Sequence, residues 1–251
     1  MKHIATILYG SQNYGLDTPE SDKDYKVLLC PQFDDLYNYH KVCKDDLPSE
    51  LDPEHYSVMS LIQFHDLLMA GNPNCIEMLF STDRKLYDID FVRSNYWGTA
   101  SKLFAIGYIA IVWDKFYSAL KGLAMHSIDR SGINAKTVSR LCFLNYFTKQ
   151  IVRDDFVVNE RTWRNPDNFN YTLAAAIRRS NRSKESLESI AEGAHRTLDI
   201  NRHRFSAIAM KWREKHEESI RSIDELKAEL DKSVRRTVWE NCVSARSDWY
   251  V

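Results

Sequence analysis

Gly10-Ser11-Gln12-Asn13-Tyr14-Gly15-Leu16-Asp17-Thr18-Pro19-Glu20-Ser21-Asp22-Lys23-Asp24 is the stretch on which the reading of this chain turns. An apolar run, Ile4-Ala5-Thr6-Ile7-Leu8-Tyr9, leads into it, and Tyr25-Lys26-Val27-Leu28-Leu29-Cys30 leads out. Both runs have the composition of buried strands, and Pro31 closes the second because proline cannot donate to a sheet ladder. The connection between them is made of Gly, Pro, Ser, Thr and Asp, the residues of turns. Strands are therefore expected over residues 3–9 and 24–30, with Ser11 capping a short helical turn between them.

The connection carries two chemical groups. Gly10 lets the backbone approach a ligand closely, and the turn after it can aim N–H groups at a phosphate, with the Ser11 hydroxyl as a further donor. An ordinary glycine turn has the same composition. Asp22 and Asp24 share one face if the second strand starts there, with Lys23 on the other. Two neighbouring carboxylates repel unless a cation lies between them. Mg²⁺, or Mn²⁺, suits such a pair, because a hard cation binds a few carboxylates together with substrate phosphates. A solvated pair of loop acids is the plainer alternative. The coupling of the two groups is more telling than either alone. A phosphate cradle and a carboxylate pair joined by one turn-rich connection bring triphosphate and metal to one corner, where charge at phosphorus is neutralised and an in-line displacement is oriented.

These residues resemble the signature of the DNA polymerase β-type nucleotidyltransferase superfamily, Gly-Ser followed by Asp-x-Asp. They look most like its RlaP-like bacterial and phage branch, with the pattern GSxxYGLxxxxSDxD. Gly10, Ser11, Tyr14, Gly15, Leu16, Ser21, Asp22 and Asp24 match it. Phe64, Gly71-Asn72-Pro73-Asn74 and Glu77-Met78-Leu79-Phe80-Ser81 look like the second block of that branch, and Lys121-Gly122-Leu123-Ala124 like its small-residue helix. The resemblance covers residues 4–150.

The resemblance implies an α+β fold: a small nucleotidyltransferase-type mixed sheet with flanking helices over residues 1–90, then a helical domain over residues 91–251. It implies a Mg²⁺-dependent enzyme that moves a nucleoside monophosphate from a nucleoside triphosphate, such as ATP, to a hydroxyl and releases pyrophosphate. Asp22 and Asp24 would hold the metal and act in catalysis, and Gly10 and Ser11 would bind phosphate. Lys136, with Arg140 one helical turn later, would meet the triphosphate; a basic surface beside an apolar face explains the pair equally well. The superfamily's third carboxylate is expected near His55 to Ser57, where no acid stands; Glu54, one bulge away, is the candidate for that role as base. The acceptor (tRNA, DNA, a protein or a small molecule) is not specified. The rival expectations are a catalytically inactive nucleotide- or nucleic-acid-binding module and an oligomeric interaction protein.

Elsewhere the sequence predicts structure more than chemistry. A third strand is expected over residues 55–59, and Ser60 caps a helix that buries Leu61, Phe64, Leu67 and Leu68 and stops at Gly71-Asn72-Pro73. Apolar-periodic stretches cover residues 99–126 and 134–152, the latter with Val138, Leu141, Leu144, Tyr146 and Phe147 as core. Charged amphipathic helices are expected over residues 184–198 and 202–245. Glu77 lies among apolar residues, so a buried, paired and structural role is expected for it. Tyr14 is expected in the core, with a place beside a nucleotide as the alternative.

A net charge of −1 over 251 residues excludes a strong overall nucleic-acid footprint, but the charge is unevenly spread. Residues 1–60 hold eleven acids against five Lys and Arg, which suits a cation site; residues 177–216 hold ten Lys and Arg against five acids, which suits phosphate or a solvated helix face. Trp163-Arg164 and Asn201-Arg202-His203-Arg204-Phe205 have the composition of a nucleic-acid stacking surface. Five widely spaced cysteines fit reduced thiols rather than a disulfide framework. No run of about 18 apolar residues predicts a membrane span, and the N-terminus lacks a signal-peptide core, so a cytoplasmic location without a membrane partner is expected.

Overall fold

The computed structural model describes residues 1–13, 15–163 and 169–247. Lys2–Tyr9 forms β1 and Asp24–Cys30 forms β2, paired antiparallel with Tyr9 opposite Asp24. The two ends of the Gly10–Asp24 connection are thus neighbours in the sheet. Tyr56–Ser60 (β3) joins β2 in parallel, and Arg84–Leu86 (β4) joins β1 antiparallel, giving a mixed sheet in the order β3-β2-β1-β4. Ile4, Ala5, Ile7 and Leu8 are all buried, as are Val27, Leu28, Leu29 and Cys30. Consecutive strand residues point to opposite faces, so this burial means that both faces of the central strands are covered.

Short helix α1 (Phe33–Tyr37) follows β2, and a 3₁₀ turn, Lys44–Asp46, breaks the polar loop after it. The Ser60 hydroxyl accepts from the Gln63 N–H at 3.0 Å and starts α2 (Leu61–Met69). Gly71 turns the chain at φ +75°, and Asn72 then caps α3 (Pro73–Leu79), with Pro73 in the first helical position. The Ser60 cap and the Gly71-Asn72-Pro73 stop are as the sequence predicts, whereas α1, the 3₁₀ turn and the start of α3 after Asn72 are not foreseen by it.

The stretch over residues 99–126 is not one helix. It is divided among α5 (Tyr96–Ala105), α6 (Tyr108–Ile111) and α7 (Trp113–Ser131), after a short α4 (Ile89–Arg93). The divide falls at Gly107, whose φ is +91°, where a Cβ would collide with the Trp212 ring. Burial of Leu103, Tyr108, Ile109 and Trp113 on both sides of the break keeps the apolar pattern running through it.

Helix α8 (Ala135–Arg153) is capped by Asn134 and buries all five of its expected core residues. After α9 (Glu160–Trp163) and α10 (Phe169–Arg178), α11 runs over Lys184–Lys215 and α12 over Glu217–Ser247. The break between the last two lies at His216, which stacks on Trp212 with ring centroids 4.3 Å apart, not near residue 200. The polar run at 201–204 misleads because Asn201 is buried inside α11.

Helix α12 returns to the sheet end of the molecule. His65 Nε2 donates to Asp231 Oδ1 at 2.8 Å, Thr99 Oγ1 donates to Glu229 at 3.0 Å, and Asn241 Nδ2 reaches Cys30 Sγ at 3.4 Å. One apolar core runs from Ile4 to Val234 across residue 90, so the sheet unit and the helical unit share it. All five cysteines are free. No helix among the described residues is long and apolar enough to cross a membrane.

Candidate functional site

Gly10 ends β1 with φ +87°, a left-handed conformation that side-chain-bearing residues rarely adopt. Turn bonds follow it: Asn13 N–H to the Gly10 carbonyl at 3.0 Å and Leu16 N–H to the Ser11 carbonyl at 2.9 Å. Leu16 is buried and anchors the turn in the core. The turn is also tied to α3. The Gly10 N–H donates to Glu77 Oε1, and Asn13 Nδ2 donates to the Glu77 carbonyl at 3.2 Å. Further along, Ser21 is held by Thr18, and Gln12 Nε2 donates to the Ser21 carbonyl at 2.9 Å.

Glu77 is 4 % exposed, as its apolar neighbours in the sequence suggested. Burial pushes its carboxyl up to about 8, while the Gly10 N–H, the Arg140 charge and Asn13 pull the other way. Its hydrogen bonds are made to backbone and amide groups, so its role in shaping the turn needs no charge.

Asp24 is the first residue of β2, and its Oδ2 lies 3.6 Å from where a Cβ on Gly10 would stand. Gly10, Ser11, Asp24 and Glu77 line a cavity of about 510 Å³ together with Arg130, Lys136, Arg140, Arg178 and His126. Arg130 comes from the end of α7, Lys136 and Arg140 from the first turns of α8, and Arg178 from the end of α10. Two bonds set this basic wall. Ser139 Oγ donates to the Ala174 carbonyl at 2.7 Å, joining α8 to α10, and Arg179 reaches the Asp17 carbonyl at 3.5 Å, joining α10 to the loop. The N-terminal end of α8 adds the positive end of its dipole. Arg178 Nε is buried without a hydrogen-bond partner among the described residues. Three arginines and a lysine therefore share the cavity with Asp24 and a Glu77 held well above the usual carboxylate range, an arrangement that attracts a polyanion.

Gly10, Ser11, Asp24, Lys136 and Arg140, far apart in sequence, thus meet around one space. Asp22 does not join them. The strand begins at Asp24, so strand alternation does not reach Asp22, which is exposed in the preceding irregular segment. Glu54 is exposed in the turn before β3 and lines a second cleft of about 420 Å³. Tyr9 and Asp24 line both spaces. Among the described residues, the groups with three metal-binding side chains in mutual reach are His40, Cys43 and Asp46, and Asp52, Glu54 and His55; neither includes Asp22 or Asp24.

Arg130 and Arg178 were not singled out in the sequence. Arg178 belongs to the basic stretch over residues 177–216, but composition does not say which of its residues turn towards a cavity. Phe205 is no stacking surface, because it is buried edge-on against Trp113 with ring centroids 6.1 Å apart. Tyr14, Arg164 and the side chain of Trp163 lie outside the described residues. Compared with family models, curated proteins and solved structures, the chain finds no match.

Proposed function

We propose that the chain binds a nucleoside triphosphate in the 510 Å³ cavity and transfers its nucleoside monophosphate to a hydroxyl, releasing pyrophosphate. The observation that carries this reading is the meeting of Gly10, Ser11 and Asp24 with Arg130, Lys136, Arg140 and Arg178 across one space. A triphosphate needs several positive charges and a close backbone, and both are present. Charge placement and orientation supply most of the catalysis of such displacements. The likeness of residues 10–24 to the nucleotidyltransferase signature supports the same reading from the sequence side.

The donor set suits Mg²⁺. Asp24 offers hard oxygen ligands at the place where the two spaces join, and Mg²⁺ commonly takes one or two carboxylates and completes its shell with phosphate and water. Bound there, it would supply charge neutralisation at the phosphates. Asp22 is the nearest further carboxylate along the chain. Lys136 and Arg140 bind the outer phosphates, and the Gly10–Ser11 turn sets the approach of the nucleotide to Asp24.

Pyrophosphate release from labelled triphosphates with Mg²⁺, alongside direct triphosphate binding, tests the assignment. Asp24→Asn is expected to lose release by at least about 100-fold while remaining folded. Full release in that variant, or a wild-type chain that binds no triphosphate, refutes it. Asp24 belongs to no preformed three-ligand group among the described residues, which favours a second reading, a binding module without turnover. Triphosphate binding with no pyrophosphate release identifies that one.

A further inference from the structure

The polar loop between α1 and β3 brings three unlike side chains together. His40, Cys43 and Asp46 each offer one ligand atom, and the imidazole nitrogen, the thiol sulfur and a carboxylate oxygen all lie within 4.8 Å of one another. They follow each other at intervals of three residues, and local backbone bonds bring them to one place. Tyr39 turns the chain out of α1 with φ +52°, a left-handed conformation rare for an aromatic residue, and the His40 N–H after it donates to the Asp35 carbonyl at 2.8 Å. The 3₁₀ turn over Lys44–Asp46 then carries Asp46 back over Cys43, with the Asp46 N–H donating to the Cys43 carbonyl at 3.1 Å.

The carboxylate of Asp46 is oriented from behind and from the front. The Cys43 N–H donates to Oδ2 at 2.8 Å, and His40 Nε2 donates to Oδ1 at 2.8 Å. A backbone donor behind a carboxylate fixes it as the outer groups of metal sites do. Tetrahedral Zn²⁺ bonds nitrogen and oxygen at about 2.0–2.2 Å and thiolate sulfur at about 2.3 Å, which sets neighbouring donors roughly 3.3–3.8 Å apart. The three side chains therefore need to move by about 1 Å or less to reach that spacing. The thiol decides the metal. Sulfur and imidazole suit Zn²⁺, whereas Mg²⁺ takes oxygen ligands. The charge around the site favours a cation as well, since residues 34–54 hold seven acids against two lysines.

We propose that His40, Cys43 and Asp46 bind one Zn²⁺, with the fourth position filled by water. The thiol and the imidazole nitrogen each give up a proton to solvent as the metal takes their place in the His40–Asp46 hydrogen bond. Val42, Cys43 and Lys44 also line the second cleft with Asp24, so the ion fixes that part of the cleft lining. This site stands apart from nucleotidyl transfer, which it neither needs nor tests.

The test uses the full chain, reduced and freed of metal, with Zn²⁺ and then Co²⁺ as probes. One Zn²⁺ per chain is expected to bind, and excess Mg²⁺ is expected not to displace it. Co²⁺ is expected to give the thiolate-to-metal charge-transfer band and the visible bands of a tetrahedral site. Cys43→Ser is expected to abolish the charge-transfer band, and Cys43→Ser and His40→Ala are each expected to weaken Zn²⁺ binding by about 100-fold or more, beyond the loss that an outer group causes. Both residues are exposed, so the metal-free variants are expected to melt with the metal-free wild type. Amide exchange over residues 38–47 is expected to slow when Zn²⁺ is added to the wild type and to stay unchanged in Cys43→Ser. A wild-type chain that binds no Zn²⁺ overturns the proposal. So does Zn²⁺ bound without the cobalt–thiolate band, or Zn²⁺ affinity that survives both substitutions, because the ion then sits elsewhere.

Discussion

Gly10 and Asp24 sit on backbone bonded into the sheet, with Gly10 tied to the buried carboxyl of Glu77, whereas Lys136 and Arg140 stand on the first turns of a helix, Lys136 exposed and Arg140 half-buried. The sheet side of the cavity is made by contacts between residues far apart in sequence. The Gly10–Glu77 bond spans 67 residues, and the turn it holds has a left-handed glycine at its start. The helical side is made by the ends of α7, α8 and α10, which the core holds without help from the basic groups they display. A substitution on the sheet side should therefore disturb fold and site together. One on the helical side should disturb binding alone.

Glu77→Ala gives that contrast its largest test. It leaves the Gly10 N–H without its carboxyl acceptor, while Asn13 keeps the Glu77 carbonyl, and an unsatisfied buried donor costs about 1–3 kcal/mol. With the void added, a loss of about 3 kcal/mol in unfolding free energy is expected, together with weaker triphosphate binding. Glu77→Gln keeps an acceptor of the same shape and should lose far less. Denaturant melts of the two variants decide it; equal stability of Glu77→Ala and wild type would remove Glu77 as the support of the turn.

The proton on Glu77 gives the next effect. Burial raises this carboxyl from 4.5 to about 8, so over that range the folded chain holds a proton that the unfolded chain has released. The stability linked to it is whole below pH 4.5 and is lost as pH rises through about 8. Thermal melts across that window are expected to show Tm falling with rising pH in wild type and falling less in Glu77→Gln. Parallel profiles would mean that Glu77 ionises alike in both states.

On the helical side the effect is smaller and confined to binding. Lys136→Ala with Arg140→Ala is expected to weaken nucleoside triphosphate affinity about tenfold, or ~1.4 kcal/mol, with no change in Tm. A large fall in Tm would show that this side supports the fold, and the contrast between the two walls would fail.

The parts of this protein legible in the sequence are those governed by local chemistry. Strands β1 and β2, the Ser60 cap, the Gly71-Asn72-Pro73 stop and the core face of α8 follow from residue order within a few positions. Gly10, Ser11 and Asp24 could be chosen for the same reason, since a glycine turn between two strands brings its own ends together. The reading went astray where the partner that decided matters was distant. Gly107 breaks a helix against Trp212, Asn201 is buried within one, and Phe205 turns inward to Trp113.

The sequence by itself determined an α+β chain with a glycine turn and an acidic strand start at one sheet end, because turn propensity and strand alternation act over a few residues. Only the tertiary structure decided that Arg130, Lys136, Arg140 and Arg178 line one cavity with that turn, and that β2 begins at Asp24 and leaves Asp22 exposed before it. Those placements depend on helix packing and on strand register, which the shared core sets and no local pattern records.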